Sequence, residues 1–261
     1  MNRPPYSTRL QAGLGLIPET HRLLALWEPG MGTTALLRAA LASGEFPGIT
    51  ARRLENIVRE AFAPRYLVDD ARPARLMKTL LGTVPGHDLQ QLMFLYTCRA
   101  NRILGDFVRE RYWPRYMAGN TRMSKAEAVD FIRRAMDRGL TTTRWADSTV
   151  ERVSGYLPGV LADFGLLGPA RLDTRPIQAF RPTPLLSSFL AHDLHVHGVG
   201  DQALLAHEDW RLFGLDDGDV LAELKQLALR GELILQSAGS LVRIAWKHQT
   251  MEGLAHEFAT G

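Results

Sequence analysis

The first 120 or so residues break into helical stretches separated by loops of only a few residues, and that spacing leaves few folds open. Leu16 to Trp27 carries apolar residues at helical intervals, has Pro18 near its start and stops at Pro29-Gly30. Thr33 or Thr34 can cap the next stretch, which runs to about Ser43-Gly44. Thr50 can cap a third, from Ala51 to about Phe62, with Pro64 expected to end it. A fourth runs from Pro73 to Leu81 and stops around Pro85-Gly86. The longest spans His87 to about Tyr112, with Pro114 placed beyond its end. Loops this short connect antiparallel neighbours, so residues 1–122 are expected to form a helical bundle.

From residue 123 the pattern changes. Ser124-Lys125-Ala126-Glu127 reads as a capping box that opens a helix ending at Gly139. Ser148-Thr149-Val150-Glu151 reads as a second box, whose helix ends near Gly165 or Gly168. A polar connection, Thr141 to Trp145, lies between them, and a β-type stretch, Ile177 to Arg181, follows. Farther on, Trp210 to Phe213 ends a short helix, Asp219 can cap Val220 to Leu229, and Gly231 stops it. Leu233 to Gln236 and Leu241 to Trp246 then flank Ser237-Ala238-Gly239-Ser240, as in a hairpin. A helix followed by such a hairpin is the recognition helix and wing of a winged helix. The chain therefore reads as mainly α, with a bundle (1–122) and a C-terminal region (123–261). That region holds winged-helix-like α/β modules with small β-hairpins at about 123–185 and 200–250. No internal sequence repeat is detectable, so the two modules are alike in plan only. Many small α/β modules share the same order of elements.

With 46% apolar and 23% charged residues in 261, the chain can build more than one core. Disorder is expected only near residues 1–8 and 252–261. The lone cysteine, Cys98, cannot form an internal disulfide and suits a reducing compartment. No signal peptide is visible behind Met1-Asn2-Arg3-Pro4-Pro5-Tyr6. The most apolar stretch, Gly155 to Ala170, is too short for a membrane span and carries Pro158, Asp163 and Pro169. A cytoplasmic location with no membrane partner is expected.

Charge is unevenly shared. Residues 1–122 hold 17 Lys and Arg against 10 Asp and Glu, a net +7; residues 123–261 hold 14 against 18, a net −4. Within the basic half Lys78 is the only lysine, and the arginine fork suits phosphate oxygens. On the Ala51–Phe62 helix, Leu54, Ile57, Val58 and Ala61 share one face while Arg52, Asn56 and Arg59 share the other. On the long helix, Arg99, Arg102 and Arg109 fall in a narrow arc away from Leu89, Met93, Tyr96, Ile103 and Phe107, interrupted by Asp106. Arg111, Arg115 and Arg122 continue beyond it, and Arg53 and Arg65 complete the candidate set. Rows of arginine on two helices could follow the phosphates of duplex DNA. They could equally be a solvated surface with local pairs, Arg102 with Asp106 or Arg109 with Glu110.

Residues 176–261 carry 6 basic and 11 acidic residues, a net −5, so the C-terminal module fits protein contact better than DNA reading. His192, His195, His197 and His207 cluster in sequence, with His195 and His197 expected on one face of a strand. No spacing of the H-E-x-x-H kind accompanies them, so no metal is expected. Gly30-Met31-Gly32-Thr33-Thr34 lacks the lysine and spacing of a phosphate loop, and Gly198-Val199-Gly200 does not continue as a dinucleotide fingerprint. No nucleophile elbow or kinase set is present. Catalysis and cofactors are not expected.

Several longer stretches resemble one family. Gly13-Leu14-Gly15-Leu16-Ile17-Pro18-Glu19-Thr20, residues 47–67 (PGITARRLENIVREAFAPRYL) and residues 94–113 (FLYTCRANRILGDFVRERYW) are similar to the BrxA proteins of bacterial BREX phage-exclusion systems. So are residues 190–201 (LAHDLHVHGVGD), 207–215 (HEDWRLFGL) and 233–247 (LILQSAGSLVRIAWK). The resemblance implies a compact, mainly helical accessory component that contacts duplex DNA. Its bundle would be similar to that of transcription antitermination factors of the NusB type. The implied partners are a methyltransferase, an ATPase and a phosphatase-like protein encoded beside it, and the resemblance carries no catalytic residues. A scaffold that holds such partners together, with incidental DNA affinity, is the alternative.

Overall fold

The computed structural model describes residues 5–8, 15–238 and 241–260. The chain is mainly helical and divides into two compact units. The first comprises residues 1–75 and 93–180; the second comprises 76–92 and 181–261. The boundary read at 122/123 falls inside the first unit.

In the first unit, α1 (Ile17–Leu26) packs on α2 (Thr33–Ser43), and α2 packs on α3 (Ala51–Asn56). The Thr50 side chain accepts from the Arg53 N–H and starts α3, as its sequence position indicates. Pro64 does not end this helix. From Ile57 to Phe62 the backbone widens into a π-helical turn in which the Ala63 N–H donates to the Val58 carbonyl, five residues back. The shift in register leaves Pro64 in the first turn of α4 (Ala63–Tyr66), where a missing N–H breaks no bond.

The helix expected from Pro73 to Leu81 is α5 (Arg72–Leu80), but the expected long helix after it is built differently. The segment α6 (Gly86–Ala100), whose start belongs to the second unit, stops at Asn101, whose φ of −129° and ψ of 86° are not helical. A new helix, α7 (Arg102–Phe107), passes through a second π turn (Val108–Tyr112) into α8 (Trp113–Met117). There the Trp113 N–H donates to the Val108 carbonyl, and Pro114 is again absorbed in a first turn.

These two kinked helices are copies of one another. Fifty positions apart, residues 51–67 and 101–117 share Arg52/Arg102, Leu54/Leu104, Val58/Val108, Arg59/Arg109, Glu60/Glu110, Pro64/Pro114, Arg65/Arg115 and Tyr66/Tyr116. The π turn falls at the same place in each. Phe62 meets Tyr66 at 5.0 Å between ring centroids, and Tyr112 meets Tyr116 at 6.2 Å. The chain therefore does hold an internal repeat, contrary to the reading of the sequence, and it lies within the bundle.

The remainder of the first unit is β1 (Arg122–Ser124), α9 (Lys125–Asp137), α10 (Asp147–Asp163) and β2 (Thr174–Pro176). The Ser124–Glu127 capping box is present at the start of α9. The second expected box is not: α10 follows Ala146, with no side-chain cap, and takes Pro158 in its interior. The strands pair antiparallel, Met123 opposite Arg175, so the β-type stretch expected at Ile177–Arg181 sits a few residues earlier. The core is closed by Leu23, Leu24, Val58, Phe62, Phe107, Tyr112, Phe131 and Val160, all fully or almost fully buried. Each such side chain contributes roughly 1.5–3 kcal/mol by leaving water.

The second unit contains α11 (Pro184–Val196), α12 (Asp201–Leu205), a short 3-10 turn (Trp210–Phe213) and α13 (Asp217–Leu229). The hairpin β3 (Leu233–Ala238) and β4 (Leu241–Trp246) and the helix α14 (Met251–Thr260) complete it. Leu235 pairs with Ile244 and Gln236 with Arg243 in the hairpin. The capping box of α13 is Asp216 with Asp219, three residues before the expected cap. His195 lies in α11 and His197 is its C-cap, so neither stands on a strand. The C-terminus is ordered through residue 260, with Met251, Leu254 and Ala255 of α14 buried and the helix packed on α11. At the other end, Tyr6 is 2% exposed, so it does not belong to a disordered tail; residues 1–4 and 261 of that expectation lie outside the described residues. No helix among the described residues is long and apolar enough to cross a membrane.

Candidate nucleic-acid interface

The folded units separate charge more sharply than the two halves of the sequence do. The first unit holds 24 basic and 16 acidic residues, a net +8; the second holds 7 and 12, a net −5. All eleven candidate contact residues fall in the first unit.

The α3 helix presents a continuous exposed face. Arg52, Asn56 and Arg59 stand on it, opposite buried Leu54, Ile57 and Val58, and Arg53 is exposed to one side. The Arg59 Nε donates to Glu55 at 2.9 Å, an exposed i,i+4 pair of the sort that stabilises weakly. Among the described residues, Arg52 and Asn56 have no side-chain partner. Arg99 is exposed at the end of α6, with its guanidinium 5.8 Å from the Tyr96 ring centre.

The arginines of α7 and the π turn after it do a different job. Asp106, 6% exposed, accepts from Arg102 Nε at 3.2 Å, from Arg109 Nη1 at 3.3 Å and from the Tyr6 hydroxyl at 2.8 Å. The Arg102 guanidinium also lies 5.1 Å from the centre of the Tyr6 ring. The Arg102–Asp106 pair is the one its i,i+4 spacing predicts, whereas Arg109 turns to Asp106 rather than to Glu110. Burial and the Asp106 carboxylate together push the Tyr6 hydroxyl far above the ordinary tyrosine range. Tyr6 is therefore a neutral donor that pins the N-terminal segment onto α7.

The other candidates are spent on structure. Arg65 is 3% exposed and donates to the Gly15 carbonyl at 3.2 Å. Arg115 pairs with Glu127 at 3.0 Å and donates to the Arg122 carbonyl. Arg122 grips Thr174 Oγ1 across the two strands, at 2.8 Å from Nε. Half-buried Arg111 lies 6.0 Å from the Phe131 ring centre. Burial of Arg65 and the anchoring of these side chains depend on partners distant in sequence, which a helical wheel does not contain. The P-R-Y tripeptide common to both copies was the available signal: in each copy its arginine donates to a backbone carbonyl.

In the second unit, His192 is fully buried and its Nδ1–H donates to the Ser188 carbonyl at 2.8 Å. Its ring meets Trp246 edge-on at 4.7 Å, and His195 stacks on Trp246 at 4.6 Å. His248 pairs with Glu257 at 2.5 Å. His207 lies apart, beside Asp209. Among the described residues, no three His, Cys, Asp or Glu side chains converge as metal ligands.

Comparison with known proteins fits this architecture. The family model of BrxA matches residues 4–193, most of the chain. The chain belongs to the BrxA family. The match covers the first unit from residue 4 onward, with both kinked copies, and it suggests a component of BREX phage defence. A search of curated proteins finds no match. Among solved structures, the fold is similar to that of an uncharacterized protein from Magnetospirillum magneticum. The TM-score is 0.59 at 15% identity, over 77% of this chain and 97% of that one. That likeness concerns the fold alone.

Proposed function

We propose that this BrxA-family chain is a non-enzymatic accessory component of a BREX-type defence system that binds duplex DNA in the cytoplasm, mainly through phosphates. One observation carries the reading: a unit of net +8 that exposes Arg52, Asn56 and Arg59 on one helix face, with Arg53 exposed beside them. Guanidinium groups without a fixed hydrogen-bond pattern toward bases give affinity with little sequence preference and strong salt dependence. The bundle of the first unit is read as NusB-like. In the second unit, α13 followed by the β3–β4 hairpin is read as the helix and wing of a winged helix. Its net charge of −5 directs that module toward protein partners, the methyltransferase, ATPase and phosphatase-like protein that the family implies. The test is a gel shift on duplex DNA with the Arg52→Glu, Arg59→Glu double variant. Loss of the shift with an unchanged circular-dichroism spectrum supports the reading; an intact shift removes it.

A scaffold role is favoured by one feature, the exposed apolar side chains of Leu229, Ile234 and Leu241 around the hairpin. On that reading, Ile234→Lys with Leu241→Lys would release partner proteins in co-purification while DNA binding stays intact.

A further inference from the structure

The two kinked helices share a pair of flanking arginines and differ at the position those arginines surround. Where the second copy has Asp106, the first has Asn56. Each copy has an arginine four residues before (Arg52, Arg102) and another three residues after (Arg59, Arg109), and the first copy also has Glu55 where the second has Gly105. In the second copy the carboxylate draws both arginines inward, to 3.2 Å and 3.3 Å, and the Tyr6 ring covers Arg102. Arg102 and Arg109 keep side-chain exposures of only 21% and 19%. In the first copy the amide offers no charge. Arg52 is exposed without a partner among the described residues, and Arg59, at 43% exposure, reaches only to Glu55 on the surface.

We infer that the bundle contains a duplicated helical element with one sealed and one open copy. The Asn at 56, in place of Asp at 106, leaves the first copy as the one that contacts nucleic-acid phosphates. The second copy binds the protein's own N-terminal segment through Tyr6. This rests on the DNA-binding reading above and assigns it to one helix. Two guanidinium groups flanking a neutral amide hydrogen-bond donor match the oxygens of a phosphodiester track. The same two groups around a carboxylate are already satisfied.

Asn56→Asp should therefore rebuild the second copy's cluster on the first and remove its free positive charge. Fluorescence anisotropy on a labelled mixed-sequence duplex, titrated over a range of salt, reads this. Asn56→Asp should lower the slope of log affinity against log salt by about 1 to 2, the loss of one or two phosphate contacts. Asn56→Ala leaves the arginines free and should keep most of the wild-type slope. Modification of the full-length protein with an arginine-selective dicarbonyl, read by mass spectrometry, gives a second measure. Arg52 and Arg59 should react and be protected by the duplex, while Arg102 and Arg109 resist with or without it. If the wild type binds DNA and Asn56→Asp binds with an unchanged slope, the inference is overturned and DNA binding stands. Equal reactivity of the two arginine pairs also overturns it. A wild type that binds no duplex at low salt overturns the DNA-binding reading and this inference together.

Discussion

Asp163, at the end of α10, accepts a 2.7 Å hydrogen bond from the backbone N–H of Gly15, 148 positions earlier in the chain. The carbonyl of the same glycine accepts from buried Arg65. Gly15 is thereby held on both sides at the entrance to α1, and Leu16 follows it with a φ of 52°. A Cβ on Gly15 would lie 2.7 Å from the Cβ of Asp163. Gly15→Ala is expected to destabilise the protein by about 1–3 kcal/mol, as overpacking does. A urea titration checks this: a midpoint unchanged from wild type would mean the contact yields freely.

The arginines of the first unit should separate cleanly in a stability assay. Arg65→Ala leaves the Gly15 carbonyl without its donor and a void in a packed site. A loss of about 3 kcal/mol or more is expected. Arg52→Ala touches no partner among the described residues and should stay within about 0.5 kcal/mol of wild type. Thermal denaturation of the two variants side by side decides the matter.

Alkaline pH should unfold the protein through its tyrosines. Burial is the leading cause that raises the hydroxyls of Tyr6, Tyr66 and Tyr112 above the ordinary value, with Asp106 adding to the shift at Tyr6. A folded value above the unfolded one means stability is complete below about pH 10 and falls as pH rises beyond it. The melting temperature should hold steady from neutrality to about pH 9 and then drop. Tyr6→Phe should make that drop shallower, at a cost of roughly 1–2 kcal/mol at neutral pH from the lost bond to Asp106. An equally steep drop in the variant would contradict the assignment.

Acid should loosen the second unit. Burial lowers the His192 imidazole below its ordinary value; Glu232 opposes that shift, while His248 and His195 add to it. Glu257 is held below the carboxylate range chiefly by Lys247, with His248 also contributing. Both shifts are depressions, so their stability is present above the unfolded values and is lost as pH falls through the folded ones. The loss from His192 begins near pH 6.5, that from Glu257 near pH 4 to 5. Trp246, packed against His192 and His195, is the reporter. In urea titrations followed by its fluorescence, the unfolding midpoint should fall as pH drops below about 6.5, and a midpoint that does not change there would contradict the buried neutral His192.

What the sequence carried was whatever depends on neighbours close in the chain. Thr50 and Ser124 cap helices where their side chains can reach an N–H three residues on. The hairpin of residues 233–246 follows from two β-rich runs around a short polar loop. Local rules failed where the register of the backbone changes. A proline twelve or thirteen residues after the start of a helix reads as a stop. Only a π turn, invisible to a 3.6-residue period, lets Pro64 and Pro114 continue it. Comparison of the two proline-containing segments with each other reveals the repeat, and their shared mismatch with an ordinary helix is the clue. The candidate interface was half legible. Amphipathic spacing placed Arg52, Asn56 and Arg59 on an open face, but it could not foresee that Tyr6 would cross a hundred residues to close over Arg102.

The most direct test is the affinity of the full-length protein for unrelated duplexes as a function of salt. Nanomolar to micromolar binding at low salt, similar across sequences, is expected. It should weaken linearly on a log–log plot, with a slope of about −0.9 per phosphate contacted, and be lost in the Arg52→Glu, Arg59→Glu variant. Binding that ignores salt, or that survives both charge reversals with its slope intact, would contradict the account.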